Sequence, residues 1–266
     1  MWVNHLINRQ ASRLLVFSAC FALAVTLLYF LSYQNRQDAP PSIQATTTPA
    51  TTTVSTKPVV TEKPSEKKPV AIKNLSPWKA VMTTVFWVGE SAGEDNAFIT
   101  NTESYWDEHW QDSFGGVDSP NCRTGYLPCE FTPRENPFYF ALPYAEYDEV
   151  GALKASAKTI SWFGKGSLPL LKNRWIAVRR GEVVCYGQWE DVGPNGEDDF
   201  AYVFGSSVTP TNTFGEKAGL DVSPALLKCL QMTDNGYTEW AFVDQSDVPA
   251  GPWRSVVTAS RPSWGN

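Results

Sequence analysis

The sequence predicts a mainly β domain, folded as a small closed barrel and set behind an apolar anchor and a long tether. Three observations predict it. The charges divide unevenly, with 8 Lys and Arg against 3 Asp and Glu in residues 1–75, and 14 against 25 in residues 76–266. Residues 14–33 form one uncharged apolar run. Ten of the eleven tryptophans lie beyond residue 76, among short apolar segments bounded by Gly, Pro, Asn or Asp. That texture reads as many short strands, and many short strands with one embedded short helix favour a small closed barrel over a sandwich.

The apolar run reads LLVFSACFALAVTLLYFLSY. At about 1.5 Å rise per residue it spans roughly 30 Å, the hydrocarbon thickness of a bilayer. Arg9 and Arg13 precede it, and no acid occurs in residues 1–13. The positive-inside bias therefore puts 1–13 in the cytoplasm, 14–33 across the inner membrane, and everything later in the periplasm or an equivalent extracytoplasmic space. A cleaved signal peptide would have a shorter apolar region, about 7–15 residues, and a small-x-small site that Ser32-Tyr33-Gln34 does not supply. Lipid attachment at Cys20, after Phe17-Ser18-Ala19, is a second rival, and the apolar run continuing past Cys20 favours a span. Residues 34–75 are rich in Thr, Pro and Lys and lack aromatics, so they read as a disordered, extended tether.

Residues 76–266 are the expected barrel domain. Strands are expected at 81–88, 138–142, 175–179, 183–189, 202–204, 240–243 and 255–258. Helices are expected at 105–112 and 224–232. In the second, Ser223 suits the N-cap, Pro224 the first turn, and Leu226, Leu227 and Leu230 supply an apolar face. The acidic body argues against nucleic acid as a partner, because phosphate binding needs clustered Lys and Arg. The sole histidine in the body, His109, excludes multi-His zinc sites and reads as a surface or turn residue. No phosphate loop, dinucleotide turn or metalloprotease motif occurs, so no cofactor and no metal are expected. The alternation Asp191, Asn195, Glu197, Asp199 departs from the EF-hand spacing and reads as a solvated acidic loop rather than a calcium site.

Four cysteines follow the anchor, an even number for an exported domain. Cys122 and Cys129 flank a six-residue loop and are expected to pair locally. Cys185 and Cys229 would then tie a strand to a helix, the alternative being two reduced core thiols.

The most informative segments are Gly187-Gln188-Trp189-Glu190-Asp191-Val192-Gly193-Pro194 and Ala218-Gly219-Leu220-Asp221-Val222-Ser223-Pro224-Ala225-Leu226. A strand ending in Asp-x-Gly-Pro, followed by Leu-Asp-x-Ser before a short helix, resembles the six-stranded double-psi β-barrel of the rare-lipoprotein-A, expansin and barwin-like group. Thr84-Val85-Phe86-Trp87 is similar to that barrel's opening strand, Phe140-Ala141-Leu142-Pro143 to its second and Lys172-Asn173-Arg174-Trp175-Ile176-Ala177-Val178 to its third. Trp240-Ala241-Phe242-Val243 resembles its last strand, so the likeness covers about 82–257. Asp191 and Asp221 stand thirty positions apart, more than double the group's spacing, so the 195–217 loop is an insertion beside the groove.

The resemblance implies a domain acting on cell-wall glycan, most naturally peptidoglycan, as a lytic transglycosylase or glycosidase. Asp221 would be the acid that protonates the leaving oxygen, with Asp191 as the second groove aspartate. Glu90 would stand near the base position that follows a Thr-x-Tyr-Trp segment. Two carboxylates, one protonated, are what cleavage of a glycosidic bond requires. Trp87, Trp106, Trp110 and Trp189 are candidates to stack on sugar rings. Other readings stand beside these. Asp191 suits a turn, and Asp221 ahead of a helix N-terminus would have its pKa lowered, the opposite of an acid's need. A non-catalytic, expansin-like polysaccharide-binding module and an envelope scaffold are the rival functions, since one fold hosts many activities.

Overall fold

The computed structural model describes residues 76–260 except Ala97, Ser167 and Phe214, all within the compact unit Lys67–Asn266. The expected anchor at 14–33, Cys20 and the tether at 34–75 lie outside the described residues. Among the described residues no helix is long and apolar enough to cross a membrane.

Six strands close into a barrel. They are Lys79–Val85 (β1), Tyr139–Leu142 (β4), Trp175–Arg180 (β5), Val183–Val192 (β6), Ala218–Val222 (β7) and Gly236–Val243 (β8). Their order around the wall is β1-β7-β4-β6-β5-β8, and β8 pairs back onto β1. The pairs β1–β7 and β4–β6 run parallel, whereas β4–β7, β5–β6, β5–β8 and β1–β8 run antiparallel. A closed wall leaves no strand edge open to another chain. Local chemistry favours these elements. The β5 and β6 sequences WIAVRR and VVCYGQWEDV are rich in β-branched and aromatic residues. A two-residue loop joins them, with Gly181 at φ +57°, the sign that hairpin twist demands.

Strand β4 alternates between two cores. Phe138, Phe140 and Leu142 pack into the main core with Trp189, Trp240, Ile176 and Leu226. Tyr139 and Ala141 face a second cluster with Phe86, Val88, Trp110 and Phe114, built by the segment between β1 and β4. Both faces of β4 are therefore buried. That segment includes helix α1 (Trp110–Phe114) and a two-strand hairpin, Arg123–Thr124 (β2) with Leu127–Pro128 (β3), closed by the Cys122–Cys129 disulfide.

Two further short α-helices follow, Phe200–Val203 (α2) and Pro224–Cys229 (α3). The α3 start is as expected: Ser223 is the N-cap, its hydroxyl accepting the Leu226 N–H at 3.2 Å, and Pro224 opens the first turn. Helix α3 lies on β6 at Gly187, where an added Cβ would sit 2.8 Å from Leu226 Cδ1 and 2.9 Å from the Phe138 carbonyl. The Cys185–Cys229 disulfide fastens the same contact, with Cα atoms 6.2 Å apart. Disulfides of this kind point to an oxidising, extracytoplasmic setting.

Several elements differ from expectation. Residues 202–204 belong to or follow α2 rather than a strand, because Asp199 caps that helix by accepting the Tyr202 N–H at 3.2 Å. Residues 255–258 form no strand. Their backbone is held by side chains: Thr258 N–H donates to Gln188 Oε1 at 2.8 Å and Gln188 Nε2 donates to the Thr258 carbonyl at 3.1 Å. Asn136 extends the clasp, its amide reaching Gln188 Oε1 at 2.9 Å and the Trp253 carbonyl at 3.1 Å. The helix expected at 105–112 is displaced to Trp110–Phe114. Strand β7, AGLDV, was not expected as a strand, since Gly and Asp are poor formers; pairing with β1 and β4 on its two sides outweighs that propensity.

Replacing Cys185 and Cys229 together by alanine is expected to lower stability by about 2–4 kcal/mol, read as a fall in the urea midpoint relative to the oxidised protein.

Candidate functional site

The strand register places the site. Thr84 on β1 pairs with Asp221 on β7, Asp221 pairs with Ala141 on β4, and Ala141 pairs with Asp191 on β6. Residues paired across strands share a face, so these four form one row over four strands. Ala141 belongs to the second cluster, on the side of β4 away from the main core. The two aspartates therefore flank a single methyl group. Two strand spacings put their Cα atoms about 10 Å apart, which leaves room between the carboxyls for a hydroxyl or a water. Gly193 keeps that space open, because a Cβ there would lie 3.5 Å from Asp221 Oδ2 and 3.9 Å from Ala141 Cβ.

Each carboxylate is held by specific donors. Asp191 Oδ1 accepts the Tyr105 N–H at 2.7 Å and the Val192 N–H at 2.8 Å. Asp221 Oδ1 accepts the Thr84 hydroxyl. Glu90 is buried, and its Oε2 accepts Asn101 Nδ2 at 2.7 Å. The turn carrying Glu90 is tied to the barrel because Val88 N–H donates to the Tyr139 hydroxyl at 2.9 Å. Gly89, at φ +75°, makes that turn, and a Cβ on it would meet Val117 at 2.8 Å and Gln111 at 2.9 Å.

The electrostatics bind the three acids into one group. Burial pushes the Asp221 carboxyl up to about 7, the Thr84 hydroxyl opposing and the Glu90 charge adding. Burial also pushes Asp191 up to about 7, opposed by its two backbone N–H donors and reinforced by the charge of Asp221. Both residues are half-buried overall, with protein packed round the carboxyls. Like charges this close titrate as a unit, so near neutrality the pair holds about one proton. Two backbone N–H bonds favour the charged form of Asp191, and the Thr84 hydroxyl favours that of Asp221.

The structure thus brings together Asp191, Asp221 and Glu90. Asp221 is not a helix cap, that role falling to Ser223, and its pKa rises rather than falls. Asp191 lies inside β6, and its carboxylate fixes the segment at Tyr105 rather than only closing a turn. The tryptophans are a correction. Trp106, Trp110 and Trp189 are buried, at 3%, 0% and 0% exposure, and offer no face to a sugar. Their rings were needed inside to fill the two cores. Trp189 still serves the site, since its Nε1 donates to the Asp191 carbonyl at 2.7 Å. Trp87 differs: it is half-buried and outside both core clusters, two residues before the turn that carries Glu90.

Sequence reasoning missed the partners Thr84, Tyr105 and Asn101, and it missed a buried ion pair next to the site. Lys172 Nζ donates to Glu190 Oε2 at 2.5 Å, with both side chains inaccessible. Thr84 was within a quoted motif but carried no role, and nothing in the sequence marks the other residues. His109 is exposed at the start of α1. Asp199 spends its oxygens on Tyr202 and Thr211, so the alternating acids of the 191–199 stretch do not act as one ligand set.

The scan of family models matches none, and no curated protein matches the chain.

Because Asp221 and Asp191 ionise less readily folded than unfolded, their contribution to stability is fully present below about pH 4 and is lost as pH rises through about 7. Asp221→Asn, which mimics the protonated acid, is expected to raise Tm by a few degrees at pH 8 and to leave it nearly unchanged at pH 4. A pH series of thermal melts on the two proteins checks this.

Proposed function

We propose that this chain is a membrane-anchored, extracytoplasmic double-psi barrel that cleaves cell-wall glycan, with Asp221 as proton donor. The observation that carries the reading is the row Thr84–Asp221–Ala141–Asp191, which joins two carboxyls far apart in sequence beside one small residue. Two parallel strand pairs within a closed six-stranded barrel are consistent with the double-psi arrangement. The short Asp-x-Gly-Pro and Leu-Asp-x-Ser segments contribute the two aspartates.

A carboxylic acid serves as general acid near neutral pH only when its environment raises its pKa, and burial together with Glu90 does that for Asp221. In cleavage, the Asp221 proton passes to the glycosidic oxygen as the bond from that oxygen to the anomeric carbon breaks. Asp191, in the ionised form that the Tyr105 and Val192 N–H groups favour, accepts a proton from the attacking hydroxyl as its oxygen bonds to the anomeric carbon. When the attacking hydroxyl belongs to the same sugar, the product is an anhydro sugar, as in a lytic transglycosylase. When it is water, the reaction is hydrolysis. Each route conserves protons, with one given and one taken.

The expansin-like alternative needs an exposed aromatic strip, and burial of Trp106, Trp110 and Trp189 removes three of its four candidates. That favours the enzyme.

Full-length protein incubated with purified peptidoglycan is expected to release sugars with anhydro or new reducing ends, and mass spectrometry of the soluble fraction reads which. Asp221→Asn should lower the rate by about 10²–10⁴-fold, the usual contribution of a general acid. Release that survives this substitution would overturn the role of Asp221, and wall binding without release would transfer the reading to the binding module.

A further inference from the structure

A concavity, separate from the carboxylate row, lies where β1 begins and β8 ends. Its volume is about 1170 Å³, and neither aspartate nor Glu90 lines it. Its wall is aromatic. The Phe204 and Phe242 rings stack with centroids 5.4 Å apart and planes 4° apart, and Trp162 packs edge-on against both, at 5.6 and 5.4 Å. Trp162 is half-buried, and the lining carries exposed apolar side chains: Val208 at 71% and Val257 at 37% exposure. Concave, aromatic-walled spaces of this size are where ligands bind, and an apolar rim of this kind is uncommon on a surface with no partner.

The charge around this groove runs against that of the domain. Residues 151–181 hold seven Lys and Arg and no Asp or Glu, within a body whose balance is −11. Among the described residues, three of the seven meet carboxylates in ion pairs, Lys154 with Asp198, Lys172 with Glu190 and Arg179 with Glu239. Two others serve the groove. Arg174 lies over the Trp162 ring, 4.9 Å from its centroid, with Nε donating to the Leu170 carbonyl at 3.0 Å. Lys165 is exposed at the rim. Lys79 adds a third cation, anchored by the carbonyls of Tyr202, Gly205 and Ser207. Against these, Asp244 is the one acid in the lining among the described residues. Aromatic rings beside a net positive charge suit a ring-bearing anion: the rings take the apolar faces and the cations take the acid.

We propose that this groove binds a carboxylate-bearing saccharide, and so holds an acidic part of the polymer away from the cleavage row. The inference rests on the glycan reading above and adds a second point of attachment to it. It also accounts for a division of charge. Acidic saccharides are repelled from the row of Asp191, Asp221 and Glu90 and attracted here, which sets the direction in which a strand lies on the domain.

Calorimetric titration of the full-length protein with a galacturonic acid trimer, and with a neutral N-acetylglucosamine trimer, tests this. The acidic trimer is expected to bind at least about tenfold tighter than the neutral one and to weaken as salt is raised. Lys165→Glu, at an exposed position where folding is not at risk, should weaken the acidic trimer by about tenfold or more. Asp221→Asn should leave that binding unchanged while abolishing sugar release. Equal affinity for the neutral trimer, no binding of the acidic trimer, or no effect of Lys165→Glu would overturn the groove assignment. If sugar release persists in any of these cases, the cleavage reading survives alone.

Discussion

Ala141 pairs with a different aspartate on each side, and the candidate site depends on that one constraint. A shift of one residue in either β4 pairing would turn Asp191 or Asp221 toward the main core, since side chains alternate along a strand. The register is fixed from both faces of β4: Phe140 and Leu142 are committed to the main core, and Tyr139 is committed to Phe86, Trp110 and Phe114. Closure of the barrel then prevents β6 and β7 from sliding independently. The two carboxyls are positioned by hydrophobic packing that neither of them contributes.

The electrostatic cost of the arrangement is spread over neighbours. Asp191 and Asp221 are held in surroundings that disfavour their charge, and each has donors that partly offset this. Glu190, adjacent in sequence but facing the other way, is fully buried against Lys172. A buried pair of this type adds little net stability but becomes costly, by about 3–5 kcal/mol, when one partner is removed. One strand thus carries two successive acids that burial pushes up to about 7, the Lys172 cation opposing the rise at Glu190 and two backbone N–H donors opposing it at Asp191.

Much of the wall was legible in the sequence. Strands β5 and β6 announce themselves by β-branched and aromatic content, and α3 by Ser223 and Pro224. The Cys122–Cys129 disulfide followed from an even cysteine count and from spacing, whereas Cys185 and Cys229 stood equally well as reduced core thiols until the helix was seen against β6. Strand β7 was not legible, because its Gly219 and Asp221 oppose strand propensity and only its neighbours impose the conformation. Segment 202–204 misled because aromatic residues suit strands, and the decisive signal was the Asp199 cap three residues earlier. The aspartates were found through short motifs, yet their donors were not. Tyr105 lies 86 residues from Asp191, and Asn101 reaches Glu90 through a loop with no periodicity. Trp106, Trp110 and Trp189 were misassigned because a composition rich in aromatics cannot say which rings a core of this size consumes.

The segment that follows the last strand is part of the wall rather than a trailing end. Trp253 is packed in the main core against Phe138 and Tyr186, and Asn136 and Gln188 grip the backbone on to Thr258. Ser260 continues the seam, its hydroxyl meeting Glu135 and its carbonyl taking Asn173 Nδ2 at 2.9 Å. A ribosome-borne chain therefore cannot finish sealing the barrel until residues 253–260 have emerged, and a cut within them would unzip amide contacts in the interior.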